Sequence, residues 1–261
     1  MGPLSALAIA GAGFVAGTVN VIVGSGTLVT FPALLALGYS PLVANVSNTV
    51  GLVPGSVSGV HAYRRELASR EQLARTARLG IFSVMGSVVG SLLLFAFPGS
   101  AFRRVVPFLI LLAVVLMALQ PWISDRLRDR GPTSKGVPSE GPAGDRPGPV
   151  LTICVFLTGI YGGYFGAAQG VILISLLAIF VNDTLQRLNA VKNVLALLAN
   201  FVASVIFAFS GKVSWAVAGV LALGAIVGGQ VGGRLGRRLP QPALRAAVIL
   251  VGTGVAIALL V

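Results

Sequence analysis

The chain has 261 residues, 56% of them hydrophobic and 10% charged, with a mean hydropathy of +0.93. Soluble domains carry about 25% charged residues, so a soluble globular enzyme, a disordered chain and a secreted disulfide scaffold are excluded, and a polytopic helical membrane protein is indicated. The net charge of +12 does not mark a nucleic-acid binder. Its Lys and Arg residues stand in short stretches between apolar runs, without interleaved aromatics, as in the loops that orient membrane proteins.

The first apolar run, residues 4–23, is long enough to cross a bilayer. It opens without a basic leader or a small-residue cleavage site, so a retained span is expected, not a signal peptide. Run 27–38 is apolar but short, and runs 43–62, 79–97 and 105–123 follow. Residues 124–149 carry five prolines, several glycines and mixed charges. That stretch cannot bury a core and is expected to be a flexible linker. Beyond it come 150–165, a second short run at 170–181, then 190–209, 215–233 and 243–261. A crossing helix needs about 20 residues, whereas each short run reaches only about 18 Å at 1.5 Å per residue. The single cysteine, Cys154, lies within an apolar run and reads as a small core residue.

The two halves repeat. A shift of 142 places Gly17 on Gly159, Gly24 on Gly166, Gly86 on Gly228, Gly90 on Gly232, Pro98 on Pro240 and Arg103 on Arg245. A three-residue change of register brings Val46 and Asn48 onto Val191 and Asn193. The expected organisation is a first membrane repeat over 1–123, a cytoplasmic linker over 124–149 and a second repeat over 150–261. If every run crosses, fifteen of the nineteen Lys and Arg residues fall on one side and four on the other. If the short runs turn back, the split is eleven against eight. The positive-inside rule favours the first case. The expected fold is therefore an all-α integral membrane protein of two inverted repeats, each of about five membrane segments with one short or broken helix, and with both termini outside.

Each short run follows a small-residue break, Val23-Gly24-Ser25-Gly26-Thr27 in the first half and Phe165-Gly166-Ala167-Ala168-Gln169-Gly170 in the second. Helices that start at such breaks present free N–H groups and a positive dipole end, which attract anions. Two of them, one per half, are expected to face one site near the midplane. Small residues also serve close helix contact. The candidate substrate residues are Gly24, Ser25, Gly26, Thr27, Asn48, Gly166, Gln169, Gly170, Lys192 and Asn193. Asn48 and Asn193 qualify through their equivalent repeat positions. Lys192, near the cytoplasmic end of its run, reads either as snorkelling to the interface or as a cation that draws an anion. Asn20, Asn45, Ser47, Thr49 and Asn200 are further polar residues within runs, each needing a partner or a cavity. Asn200 reads as structural. Tyr161 and Tyr164 read as packing or anchoring groups that also carry hydroxyls. His61, beside Arg64 and Arg65, reads as interfacial.

All seven acidic residues, Glu66, Glu71, Asp125, Asp129, Glu140, Asp145 and Asp183, fall outside the apolar runs. A carboxylate proton relay or carboxylate cation site is not expected. There is no metal-ligand spacing, no phosphate-binding loop and no paired carboxylates, so neither cofactor, metal nor catalytic site is expected.

Several stretches resemble the sulfite exporter TauE/SafE family of membrane transporters. They are GFVAGTVNVIVGSG at 13–26, FPALLALG at 31–38, LNAVKNVLALLAN at 188–200, GKVSW at 211–215 and GGQVGGR at 228–234. The resemblance covers nearly the whole chain outside the linker, in loose, glycine-based motifs. It implies export of sulfite, organosulfonates or similar sulfur-containing anions across the cytoplasmic membrane. The chain departs from the family at Thr27 and at Gly166-Ala-Ala-Gln-Gly170, where further glycines are usual. The expected partners are a small anionic substrate and the lipid bilayer, with no nucleic acid, and a homo-oligomer is compatible with the sequence. A passive anion channel on the same fold is the alternative.

Overall fold

The computed structural model describes residues 2–129, 147–235 and 241–260. Ten helices occupy them: α1 (Pro3–Ile22), α2 (Thr27–Ala36), α3 (Pro41–Ala62), α4 (Arg70–Ala96), α5 (Gly99–Asp129), α6 (Pro149–Tyr164), α7 (Gln169–Phe180), α8 (Leu185–Ala208), α9 (Trp215–Leu235) and α10 (Gln241–Leu260). No strand occurs among the described residues. Five helices, α1, α4, α5, α8 and α9, are long and apolar enough to cross a membrane. Proline opens α1, α3 and α6 within the first two positions, where its missing N–H costs nothing. Ser69 and Thr184 cap α4 and α8 through their side-chain oxygens.

Each expected apolar run is matched by a helix, but several helices extend past their runs: α4 begins at Arg70, α5 at Gly99 and α8 at Leu185. The expected linker begins at residue 124, but α5 continues through Asp129. Residues 124–129 contain no proline or glycine to stop it. The rest of the linker, residues 130–146, lies outside the described residues, and residues 147 and 148 lead into α6.

Helix directions follow from their contacts. On α1, Gly13 faces Leu221 and Gly17 faces Ala225 of α9, and on α3, Gly51 and Gly55 face the same two residues. The three helices therefore run parallel. On α4, the Ser83 and Ser87 hydroxyls donate to the carbonyls of Leu195 and Ala199 of α8. Gly159 and Gly163 of α6 face the same two serines. So α4, α6 and α8 run parallel as a second set. The short loop from α3 to α4 sets it antiparallel to the first. Because α1 and α3 run the same way, the chain must return through the bundle between them. The ten residues of α2 supply about 15 Å of that return, and residues 23–26 and 37–40 supply the rest. The connection from α6 through α7 to α8 has the same form.

Glycine and serine line the helix seams, where they let backbones touch. Among the buried polar residues, Thr30, Asn45, Ser47, Asn48, Ser83, Ser87 and Ser91 are all completely inaccessible. Large apolar side chains face outward instead, among them Leu4, Ile81, Leu92, Phe108, Ile153, Leu157 and Leu250. This inside-out distribution is the one a lipid solvent selects. The start of α4 and the turn before α8 are joined on one side of the bundle. There the Arg75 guanidinium and the Gln72 amide each lie 2.9 Å from the Asp183 carboxylate, and Arg187 is 3.5 Å away.

Candidate anion site at the two helix breaks

Both breaks have the same local design. The N–H groups of Val23 and Gly24 return to the Val19 carbonyl, and those of Phe165 and Gly166 return to the Tyr161 carbonyl. This left-handed C-terminal closure needs a positive φ, found at Gly24 (87°) and Gly166 (75°). The next helices start at Thr27 and Gln169, positions related by the 142-residue shift of the sequence repeat. Ala168, just before α7, also has a left-handed φ of 58°. A non-glycine residue there stores about 1–2 kcal/mol.

The breaks touch. The Gly170 N–H donates to the Gly24 carbonyl at 3.0 Å. A Cβ on either glycine would lie 2.5 Å from the Cα of the other, so only a pair of glycines permits this approach. Beside the contact is a small polar cavity lined by Asn20, Gly24, Thr27, Thr49, Leu52, Gly166, Gln169, Gly170, Ala196 and Asn200. Its free space suits roughly one water molecule. Gln169, at the first position of α7, is 2% exposed, and both polar atoms of its amide lack a partner. The Ser25 hydroxyl, 1% exposed, is likewise unpartnered. Burying such groups costs about 1–3 kcal/mol each, a cost that a ligand offering donors and acceptors would offset.

Five of the ten candidate residues line this cavity: Gly24, Thr27, Gly166, Gln169 and Gly170. Ser25 and Gly26 belong to the break itself, and the Gly26 N–H reaches the Asn20 side-chain oxygen at 3.4 Å. Asn48 stands behind the site, donating to the Thr27 hydroxyl at 3.2 Å and accepting from Thr30. Lys192 and Asn193 sit at the end of α1, both donating to the Val21 carbonyl. Asn48 and Asn193 thus have unlike surroundings despite their equivalent positions. Lys192 does not snorkel: it is 1% exposed, because the end of α1 offers its ammonium a carbonyl inside the bundle. The tyrosines serve the fold. Tyr161 donates its hydroxyl to the Ala167 carbonyl at 2.6 Å, and the Tyr164 ring packs edge-on against Phe102. Cys154 is half-buried, and its carbonyl accepts from Thr158.

Three polar lining residues escaped the sequence-based choice: Asn20, Thr49 and Asn200. Asn20 precedes Gly24 by one helical turn, a spacing that marks it as facing the break. Asn200 shares a face of α8 with Lys192 and Ala196 at four-residue intervals, a signal visible only once that face is known to be central.

The chain matches the family model described as Sulfite exporter TauE/SafE over residues 9–259. It is 28% identical over 238 residues to the probable membrane transporter protein YfcA of Escherichia coli (strain K12), covering 90% of this chain and 82% of that protein. A probable membrane transporter protein of Haemophilus influenzae is 27% identical over 216 residues, 83% of this chain and 79% of the relative. The probable membrane transporter protein ORF9 of a Sinorhizobium species is 28% identical over 252 residues, 95% of this chain and 90% of its own length. No solved structure is a significant match.

Proposed function

Because the chain belongs to the sulfite exporter TauE/SafE family of membrane transporters, we propose that it is a carrier exporting a small sulfur oxyanion, such as sulfite or an organosulfonate, across the cytoplasmic membrane. The substrate is held where the two breaks meet. The observation that carries this reading is the unpartnered amide of Gln169, buried in a polar cavity at the start of α7. An oxyanion there would accept from the Gln169 amide Nε2–H, aided by the positive dipole end of α7, whose first N–H groups are already taken up by the carbonyls of Gly166, Gly24 and Ala168. The Asn20, Thr27, Thr49 and Asn200 side chains supply further polar contacts around it.

The helix pairings support two inverted repeats. Exchanging the halves turns the pair α1 and α9 into α6 and α4, and turns α3 and α9 into α8 and α4; all four pairs are in contact. Five segments per half give the halves opposite directions, so two equivalent breaks approach one site from opposite sides. The Arg-rich ends of α3, α4 and α8 would then face the cytoplasm, with both termini outside. A cavity sized for one water must widen before a sulfur oxyanion enters, which favours a carrier that changes shape over an open channel. Proteoliposomes preloaded with unlabelled sulfite should take up labelled sulfite transiently against its gradient. Such counterflow belongs to carriers, and its absence alongside rapid passive flux would identify a channel.

A further inference from the structure

Lys192 buries its side-chain amine inside the bundle, on the eighth residue of α8 and 1% exposed. Its ammonium lies 3.3 Å from the Val21 carbonyl oxygen, and the amides of Asn189 and Asn193 approach the same atom at 3.5 Å each. One carbonyl has two lone pairs, so three donor groups share too few acceptors, and all three contacts are long. All seven acidic residues lie outside the apolar runs. The end of α1 supplies a partial negative charge of only about one half. Three N–H donor groups therefore converge on one carbonyl with no carboxylate among them, and donors gathered in this way are the chemistry of an oxyanion site.

Its position adjoins the central cavity. Lys192 precedes the lining residue Ala196 by one turn of α8, about 6 Å along the axis. Val21 directly follows the lining residue Asn20. From that cavity, the Lys192 cluster lies toward the start of α8, where Asp183 joins Arg75.

We infer that Lys192, with Asn189 and Asn193, forms a second anion subsite between the central cavity and the loops on the side of Asp183. The inference rests on the anion-carrier reading. When the substrate reaches this subsite, the ammonium turns from the Val21 carbonyl to an oxygen of the anion. One of the two amides keeps the carbonyl satisfied, so no buried acceptor is orphaned. Lys192 then supplies the counter-charge that the spans otherwise lack.

The test is thermal unfolding of the full-length protein in lipid nanodiscs, with sodium sulfite titrated at constant ionic strength against chloride. The wild type is expected to be stabilised. Lys192→Gln retains an amide donor but no charge, and should raise the half-saturating sulfite concentration by about 10- to 100-fold, the value of one charge-assisted hydrogen bond. Asn193→Asp places a fixed carboxylate beside the ammonium. It should raise the unfolding temperature without sulfite and weaken the sulfite response by a similar factor, and it keeps the test decisive if Lys192→Gln does not fold. Unchanged half-saturation in either folded variant would reduce Lys192 to a cap for α1 and overturn the inference, leaving the carrier reading intact. A wild type that neither responds to sulfite nor exchanges it would overturn both.

Discussion

Gly24→Ala tests the contact between the breaks with its own internal control. Alanine at this position pays twice. The φ of 87° costs an L-residue about 1–2 kcal/mol. The new Cβ would also meet the Gly170 Cα at 2.5 Å and its carbonyl carbon at 2.8 Å, rigid backbone that must move. Overpacking of this kind costs about 1–3 kcal/mol, and the 3.0 Å bond from the Gly170 N–H is strained with it. The sum is about 2–5 kcal/mol. Gly38 has nearly the same φ, 86°, but nothing within 4 Å of a Cβ, so Gly38→Ala pays the backbone cost alone. Gly170→Ala pays the clash alone, again at 2.5 Å, now against the Gly24 Cα. Thermal unfolding in one detergent should therefore place Gly24→Ala below both single-cost variants, and sulfite exchange should fall for Gly24→Ala and Gly170→Ala but not for Gly38→Ala. Equal melting of Gly24→Ala and Gly38→Ala would show that the breaks do not touch.

Two further outcomes follow from named contacts and a third from the proposed topology. Gln169→Leu removes two unpartnered polar atoms and should leave stability unchanged or raise it by about 1 kcal/mol, while sulfite exchange is lost; retained exchange would remove Gln169 from the site. Gly228→Ala drives a Cβ into the Phe14 backbone and should destabilise by about 1–3 kcal/mol. By contrast Gly219→Ala, on the same helix with nothing within 4 Å, should stabilise by about 0.5–1 kcal/mol, and comparison of their melting curves checks the α1–α9 seam. A cysteine introduced at Ser134 or Ser139 of the linker should resist impermeant labelling in intact cells and react after permeabilisation; labelling from outside would reverse the proposed topology.

Much of the fold was legible because lipid leaves a strong mark on sequence. Apolar runs and basic loops marked nearly every helix, and Gly24 and Gly166 marked the two breaks. The short runs placed the paired helix starts at Thr27 and, within one residue, at Gln169. The contact between Gly24 and Gly170 was not legible, since glycines on every seam look alike without a partner in view. Of the two readings of Lys192, snorkelling fails for a similar reason. Its position in α8 suggested a short reach to the interface, and nothing local revealed that the end of α1 would offer a carbonyl inside the bundle. Asn200 and Asn20 were recognised as polar but not as central, because the cavity they both line is formed by helices distant in sequence.

The central claim is that a sulfur oxyanion crosses through the site at the two breaks without a carboxylate proton relay. Outward movement of one net negative charge gains about 2.3 kcal/mol per 100 mV of inside-negative potential. Sulfite efflux from proteoliposomes, at equal pH and equal Na⁺ on both sides, measures this directly. The account predicts that efflux rises with inside-negative potential in the wild type and is lost in Gln169→Leu. Efflux that ignores the potential but follows a pH or Na⁺ gradient, or that persists in Gln169→Leu, would contradict it.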